Sequence, residues 1–254
     1  MFASNVLRKS IVLVVASMSF CLVAAETSLK AGHGARTESP GIMSGPMKSV
    51  GTASDWEDFS KQPSAHLRGY KGEPFPPPSW ALQNGCFQLN STGFGSDLMT
   101  RSTYENFELE FDWKFQPGGN SGIIFAVQPG YEYSYLTGPE VQLLDDSKHP
   151  DGKKAITSLG ALYGLTEPDS EAKKKLALKE FSKCRLIVNG NQLKFYVNDV
   201  LVSDASLDPK VLDAKIAASK FKNMKDFYKQ RSGHIVFQDH GGKTEFRRIR
   251  IRRL

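Results

Sequence analysis

Two short segments concentrate side chains able to move protons or hold a polar ligand. In Gly138-Pro139-Glu140-Val141-Gln142-Leu143-Leu144-Asp145-Asp146, Glu140 and Gln142 lie two residues apart. On a strand they share one face, while Val141 and Leu143 point into a core. Asp145 falls on the core face, where an unpaired carboxylate is costly, unless the chain bulges near Leu144 or the strand simply ends there and leaves Asp145 in a turn. In the second segment, residues 233–242, Ile235 and Phe237 take one face and Val236, Gln238 and His240 the other. It closes on Gln238-Asp239-His240 before Gly241-Gly242, and an imidazole titrates near neutral pH. By pattern alone the ordinary reading of that triplet is the solvated end of a strand.

Other chemistry is thinner. Gly118-Gly119-Asn120-Ser121-Gly122 lies between two strand patterns. A tight hairpin explains its glycines, and no helix follows to make a phosphate loop. Lys220, in Ala218-Ser219-Lys220-Phe221, is a single lysine of the kind usually found as a surface charge. His149, with Asp145, Asp146 and Asp151 near it, has the residue types for a divalent metal, although the same sequence is ordinary for an exposed loop. No zinc-ligand spacing, nucleophile elbow or dinucleotide fingerprint is present.

The elements that must position these groups are strands. Phe107, Leu109, Phe111, Trp113 and Phe115 alternate with Glu108, Glu110, Asp112 and Lys114, a period of two over nine residues that puts one face in a core and the other in water. Residues 87–89, 121–128, 184–188, 192–197, 200–203, 234–240 and 245–253 read as further strands. Asn84-Gly85, residues 117–120, Asn189-Gly190 and Asn198-Asp199 form the turns. Asp208 followed by Pro209 starts one short helix to about 219, and residues 166–182 hold a second short piece. Many strands, frequent turns and little helix predict an all-β, two-sheet antiparallel sandwich.

The chain has 254 residues and is 40% hydrophobic, enough for one cored domain with appendages. Arg8 and Lys9 precede an apolar run over residues 11–25, with Val23 and Ala25 before a cut at Ala25/Glu26. That is the build of a signal peptide, too short to span a bilayer, and it predicts a secreted or periplasmic protein with no membrane anchor after cleavage. Residues 26–52, rich in Gly, Ser, Thr, Ala and Pro, read as a disordered linker, which leaves 53–254 as the domain. Loss of Arg8 and Lys9 lowers the formal charge of +6 by two. The terminal arginines alternate with Ile249 and Ile251, the pattern of a solvated strand face and not of a nucleic-acid surface. Cys86 and Cys184 remain after the cut. Export allows a disulfide between them, and two isolated buried thiols are the alternative.

Several segments occur in a telling order: Tyr104-Glu105-Asn106-Phe107-Glu108-Leu109, Pro117-Gly118-Gly119-Asn120-Ser121-Gly122-Ile123, residues 140–145, Gly160-Ala161-Leu162-Tyr163, Ala217-Ala218-Ser219-Lys220-Phe221 and residues 233–241. Together they resemble the 3-keto-disaccharide hydrolase domain family, over about residues 80–251. Residues 53–79 depart from that family's usual opening. The resemblance implies a concanavalin A-like jelly roll with its site on the concave sheet, and a carbohydrate substrate whose sugar carries a ketone at C3. Glu140, Gln142 and Asp145 also match the spacing of the acid-bearing strand of laminarinase-like enzymes, but Gln142 replaces the middle acid. That replacement speaks against the ordinary two-carboxylate mechanism.

The chemistry implied is hydrolysis or lysis that begins with removal of the C2 hydrogen, made acidic by the C3 ketone. His240 is expected to be the base and Glu140 the acid, or the reverse. Lys220 or a bound divalent cation is expected to stabilise the enolate oxygen. Asn120, Gln142, Asp145, Gln238 and Asp239 are expected to hold sugar hydroxyls. The rival reading is a non-catalytic carbohydrate-binding module that stacks sugars on Trp113, Tyr133, Tyr135 or Tyr163. A third is a structural adhesion domain, whose concave face would be apolar.

Overall fold

A computed structural model describes residues 55–91 and 96–254. The expected leader (1–25) and linker (26–52) lie outside the described residues. The described chain is the two-sheet antiparallel sandwich that the alternation predicts. Its strands are β1 (Glu57–Asp58), β2 (Leu67–Gly69), β3 (Trp80–Gln83), β4 (Cys86–Ser91), β5 (Leu98–Thr100), β6 (Phe107–Phe115), β7 (Asn120–Val127), β8 (Glu140–Leu144), β9 (Ser182–Asn189), β10 (Gln192–Val197), β11 (Val200–Ser206), β12 (His234–Phe237) and β13 (Gly242–Arg253). The larger sheet runs β11-β10-β9-β6-β13-β4-β3, with β1 also paired to β13, and the smaller runs β2-β5-β12-β7-β8.

Turn chemistry sets the hairpin registers. Asn84 and Gly85 (φ 52° and 74°) join β3 to β4, and Asn198 and Asp199 (φ 49° and 65°) join β10 to β11. Two left-handed residues in sequence match the twist of the flanking strands, which is why Asn, Asp and Gly are found there. Aromatic rings connect the sheets across the core: Phe111 meets Phe237 edge-on at 6.0 Å, and Phe107 meets Phe125 at 6.4 Å. Each such ring, fully buried, contributes roughly 1.5–3 kcal/mol.

The face of β6 that alternation assigns to water is largely covered. Glu108 and Asp112 are buried because β6 lies between β9 and β13, whose arginines reach across. Arg185 and Arg252 pair with Glu108, Arg250 with Glu110, and Arg247 and Arg248 with Asp112. The C-terminal arginines are therefore one side of a charge ladder on the sheet. Cys86 and Cys184 are free thiols on β4 and β9. With β6 and β13 between them, three strand spacings put their backbones roughly 14 Å apart, well beyond disulfide reach.

Among the described residues α-helix is limited to three short segments, α1 (Pro63–His66), α2 (Ser170–Lys174) and α3 (Pro209–Ala217), beside four 3-10 turns. In α3 the Asp208 side chain accepts the Lys210 amide and Pro209 opens the helix, as the sequence predicts. α3 leads into a 3-10 turn, Lys220–Asn223, capped by Ser219, which brings Lys220 over the smaller sheet's outer face beside Tyr163.

Candidate active site

The outer face of the smaller sheet has an apolar half and a polar half. Tyr70, Met99, Ile124, Val127 and Val236 cluster on the first. Glu140 and Gln142 on β8 lie opposite Ile124 and Gly122 of β7, and Gln238 follows β12 and donates its backbone N–H to the Gly122 carbonyl at 2.9 Å. Gly122 is necessary to this arrangement. A Cβ there would sit 2.2 Å from Glu140 Oε1 and 2.7 Å from its Cγ, so the Glu140 side chain lies across β7 only because residue 122 has none.

A cavity of about 490 Å³ opens over this polar half. Glu140, Gln142, Lys220, Gln238, Asp239 and His240 line it together with Asp97, Tyr133, Tyr135, Tyr163, Phe221 and Met224. The late strand is shorter than its sequence suggests: β12 ends at Phe237, so Asp239 and His240 leave the sheet and turn to the cavity. Gln238 Nε2 donates to Glu140 Oε2 at 3.4 Å, and Gln142 Nε2 donates to the Thr157 carbonyl at 3.2 Å. The Oε1 atoms of Gln142 and Gln238 are buried without a partner among the described residues.

Two expected residues lie differently. Asp145 follows the end of β8, as the turn reading of that segment has it. Its Oδ2 accepts the Gly118 amide at 2.8 Å and its Oδ1 accepts from Ser147. Against the upward push of burial, these bonds hold its carboxyl below the usual range. Asp145 thus caps the turn into β7 and does not border the cavity. Asn120 is buried on β7, with its amide 3.4 Å from His149 Nε2, and does not border the cavity. The His149 ring stands edge-on to His240 at 6.4 Å and its Nδ1 accepts the Asp151 amide. Among the described residues no group of three or more His, Cys, Asp or Glu side chains is arranged to hold a metal ion.

The electrostatics of the lining separate its acids from its bases. Burial pushes the Glu140 carboxyl up to about 8; the nearby Lys220 charge opposes this, and Asp97 and Asp151 add to it. Burial pushes His240 the other way, below the ordinary imidazole value, with His149 and Lys220 adding to the effect. Burial likewise lowers Lys220, against the pull of Glu140 and Asp151. At neutral pH the carboxyl therefore holds its proton and the imidazole is free of one, a division of roles set by environment. The Lys220 ammonium lies 4.1 Å from the Tyr163 ring centre, and the Tyr163 hydroxyl donates to Asp151 at 3.2 Å.

Asp97 was not expected from the sequence. It precedes a three-residue strand, Leu98-Met99-Thr100, which shows no alternation because all three residues are buried. The four aromatic residues considered as sugar platforms divide. Trp113 is in the core with its Nε1 donating to Thr244. Tyr133 and Tyr135 stack on each other at 5.2 Å, and Tyr163 carries Lys220.

Comparison with known proteins agrees with this architecture. Residues 52–252 match the family model described as the 3-keto-alpha-glucoside-1,2-lyase-like domain. The chain is 31% identical over 215 residues to a 3-keto-disaccharide hydrolase of Bacteroides thetaiotaomicron, covering 73% of each protein. Two solved chains from Parabacteroides distasonis ATCC 8503, described as glycosyl hydrolases, share the fold. One has a TM-score of 0.66 at 23% identity, covering 74% of this chain and 88% of its own. The other has a TM-score of 0.58 at 20% identity, covering 78% and 99%. The resemblance drawn from the ordered motifs over about residues 80–251 holds, and the match also takes in residues 53–79, which the sequence reading set apart from the family's opening; the chain belongs to the 3-keto-alpha-glucoside-1,2-lyase-like domain family.

Proposed function

We propose that this protein is a carbohydrate-active enzyme that cleaves 3-keto-glycosides, 3-keto-disaccharides among them, by removing the proton at C2. The observation that carries the reading is the meeting of Glu140, His240 and Lys220 at one cavity, where burial raises the Glu140 carboxyl and lowers the His240 imidazole.

In this mechanism His240 takes the C2 proton, and the electron pair moves to the C3 oxygen as an enolate. Lys220 stabilises that oxygen. The enolate collapses to a C1–C2 double bond conjugated to the C3 ketone while the C1–O bond breaks, and Glu140 gives its proton to the departing oxygen. If the product leaves here the reaction is a lysis. If water then adds its oxygen to C1 and a proton returns to C2, the result is hydrolysis. Gln142, Gln238 and Asp239, which line the cavity, hold sugar hydroxyls.

The module reading draws less support, since Trp113 is buried, Tyr133 and Tyr135 stack on each other, and the Tyr163 ring carries the Lys220 ammonium. The leader-like N-terminus supports action outside the cytoplasm. The test is incubation with a 3-keto-disaccharide and measurement of released sugar. The expected result is release by the wild type and a loss of about 10²-fold or more in His240→Ala and Glu140→Gln. Binding without release by the wild type would return the module reading.

A further inference from the structure

We infer that Asp97 is a positioning residue that fixes the loop bearing His240 against the loop bearing Tyr133 and Tyr135. Its kinetic consequence rests on the functional reading above; its structural consequence does not. Asp97 borders the cavity and is 7% exposed. Its Oδ1 accepts the Asp239 amide at 2.7 Å, and its Oδ2 accepts the Ser134 hydroxyl at 2.5 Å. The Asp239 carboxylate answers in the other direction. It accepts the Ser96 amide at 3.4 Å through Oδ2 and the Gly241 amide at 3.0 Å through Oδ1.

The three segments joined here lie outside the named strands, although the Asp97 carbonyl still accepts the Tyr70 amide at 2.9 Å just before β5. β12 has ended at Phe237, β5 has not yet begun, and Ser134 opens a 3-10 turn. Where the main chain no longer pairs with main chain, buried amides need other acceptors, and the two aspartates supply them. His240 is the residue after Asp239, so the bond from the Asp239 amide to Asp97 sets the peptide from which the imidazole projects. Ser134 carries Tyr133 and Tyr135 as its two neighbours, so the same carboxylate ties down the aromatic wall.

The groups acting electrically on Asp97 are Asp239, a like charge, and Lys71, an opposite one; burial, the largest influence, pushes its carboxyl up to about 6. Asp97 in turn raises Glu140. Asn at this position keeps the shape. Its carbonyl accepts from Asp239 and its NH2 donates to Ser134 Oγ, while the charge is removed. Ala removes both bonds. The pair of variants therefore separates positioning from charge.

The experiment measures amide hydrogen exchange in the wild type, Asp97→Ala and Asp97→Asn, alongside kinetics on a 3-keto-disaccharide. In Asp97→Ala, exchange at Asp239, His240 and Gly241 is expected to quicken about tenfold or more while β6 and β13 stay protected. kcat is expected to fall on the order of 100-fold with KM little changed. Asp97→Asn is expected to retain loop protection and most of kcat. Its alkaline rate limb is expected to move to lower pH, because Glu140 loses a like-charged neighbour. Unchanged loop exchange in Asp97→Ala, or equal loss of kcat in both variants, overturns the inference. If Asp97→Ala does not fold, a deprotected loop in Asp97→Asn overturns it. Failure of the wild type to release sugar would overturn the functional reading, and the exchange measurement would still decide the positioning role.

Discussion

Replacing Glu140 with Gln should make the protein more stable in alkaline solution while abolishing most of its turnover. The magnitude follows from the carboxyl's raised titration, from the ordinary 4.5 to about 8. A carboxyl that binds its proton more tightly when folded stabilises the fold fully below the unfolded value of 4.5, and that contribution drains away as pH climbs through about 8. At roughly 1.4 kcal/mol per pH unit, the loss approaches about 5 kcal/mol. Lys220 already offsets part of the burial, and the side chain keeps an opening to the cavity, so a measured loss of several kcal/mol meets the expectation. Gln has the carboxyl's shape and never ionises. Wild type and Glu140→Gln should therefore have similar stability at pH 5, and the variant should be more stable by several kcal/mol at pH 9. Urea unfolding at both values, with slopes compared to confirm that the same surface is exposed, measures this. Asp97, raised to about 6, titrates in both proteins and cancels in the difference. Equal loss of stability between pH 5 and pH 9 would mean that Glu140 ionises as an ordinary carboxyl, and it would then have no claim to be the acid.

Three further outcomes follow from the same geometry. The rate should be bell-shaped in pH, with an alkaline limb near 8 as Glu140 loses its proton and an acid limb below the ordinary imidazole value of 6.5 as His240 gains one; a pH-rate profile checks both. Gly122→Ala should fold but lose turnover by about 10²-fold, because its Cβ displaces the Glu140 side chain that lies across it; a normal rate would mean that the placement of Glu140 is unimportant. Lys220→Met should lower kcat by roughly 10²–10³-fold, seen in steady-state kinetics, while leaving the exposed start of its 3-10 turn folded.

The sequence made some of this legible because local rules and tertiary structure agreed. The alternation from Phe107 to Phe115 marks β6 to the residue, and Asn198-Asp199 marks its turn because only a few residue types accept two left-handed positions in a row. Glu140 and Gln142 share a face because strand geometry requires it. What was hidden depended on pairing. Glu108 and Asp112 read as solvent-facing until β9 and β13 bring arginines over them. Gly122 looked like a turn glycine, and its role appears only in the register that sets it opposite Gln142 and beneath Glu140. Asp97 was invisible because its strand is three residues long and buried on both faces, so it has no period to read. Asp145 reads from the sequence both as a ligand group and as a turn residue, and the ending of β8 at Leu144 leaves it in the turn.

Proton removal from C2 by groups at the Glu140–His240 cavity is the proposed first step of cleavage. A 3-keto-disaccharide carrying deuterium at C2 tests it most directly. The prediction is a slowed reaction whose 3-keto product has lost its C2 deuterium, with no hydrogen at C2 after lysis and solvent hydrogen there after hydrolysis. Release at the normal rate with the deuterium still in place would contradict it.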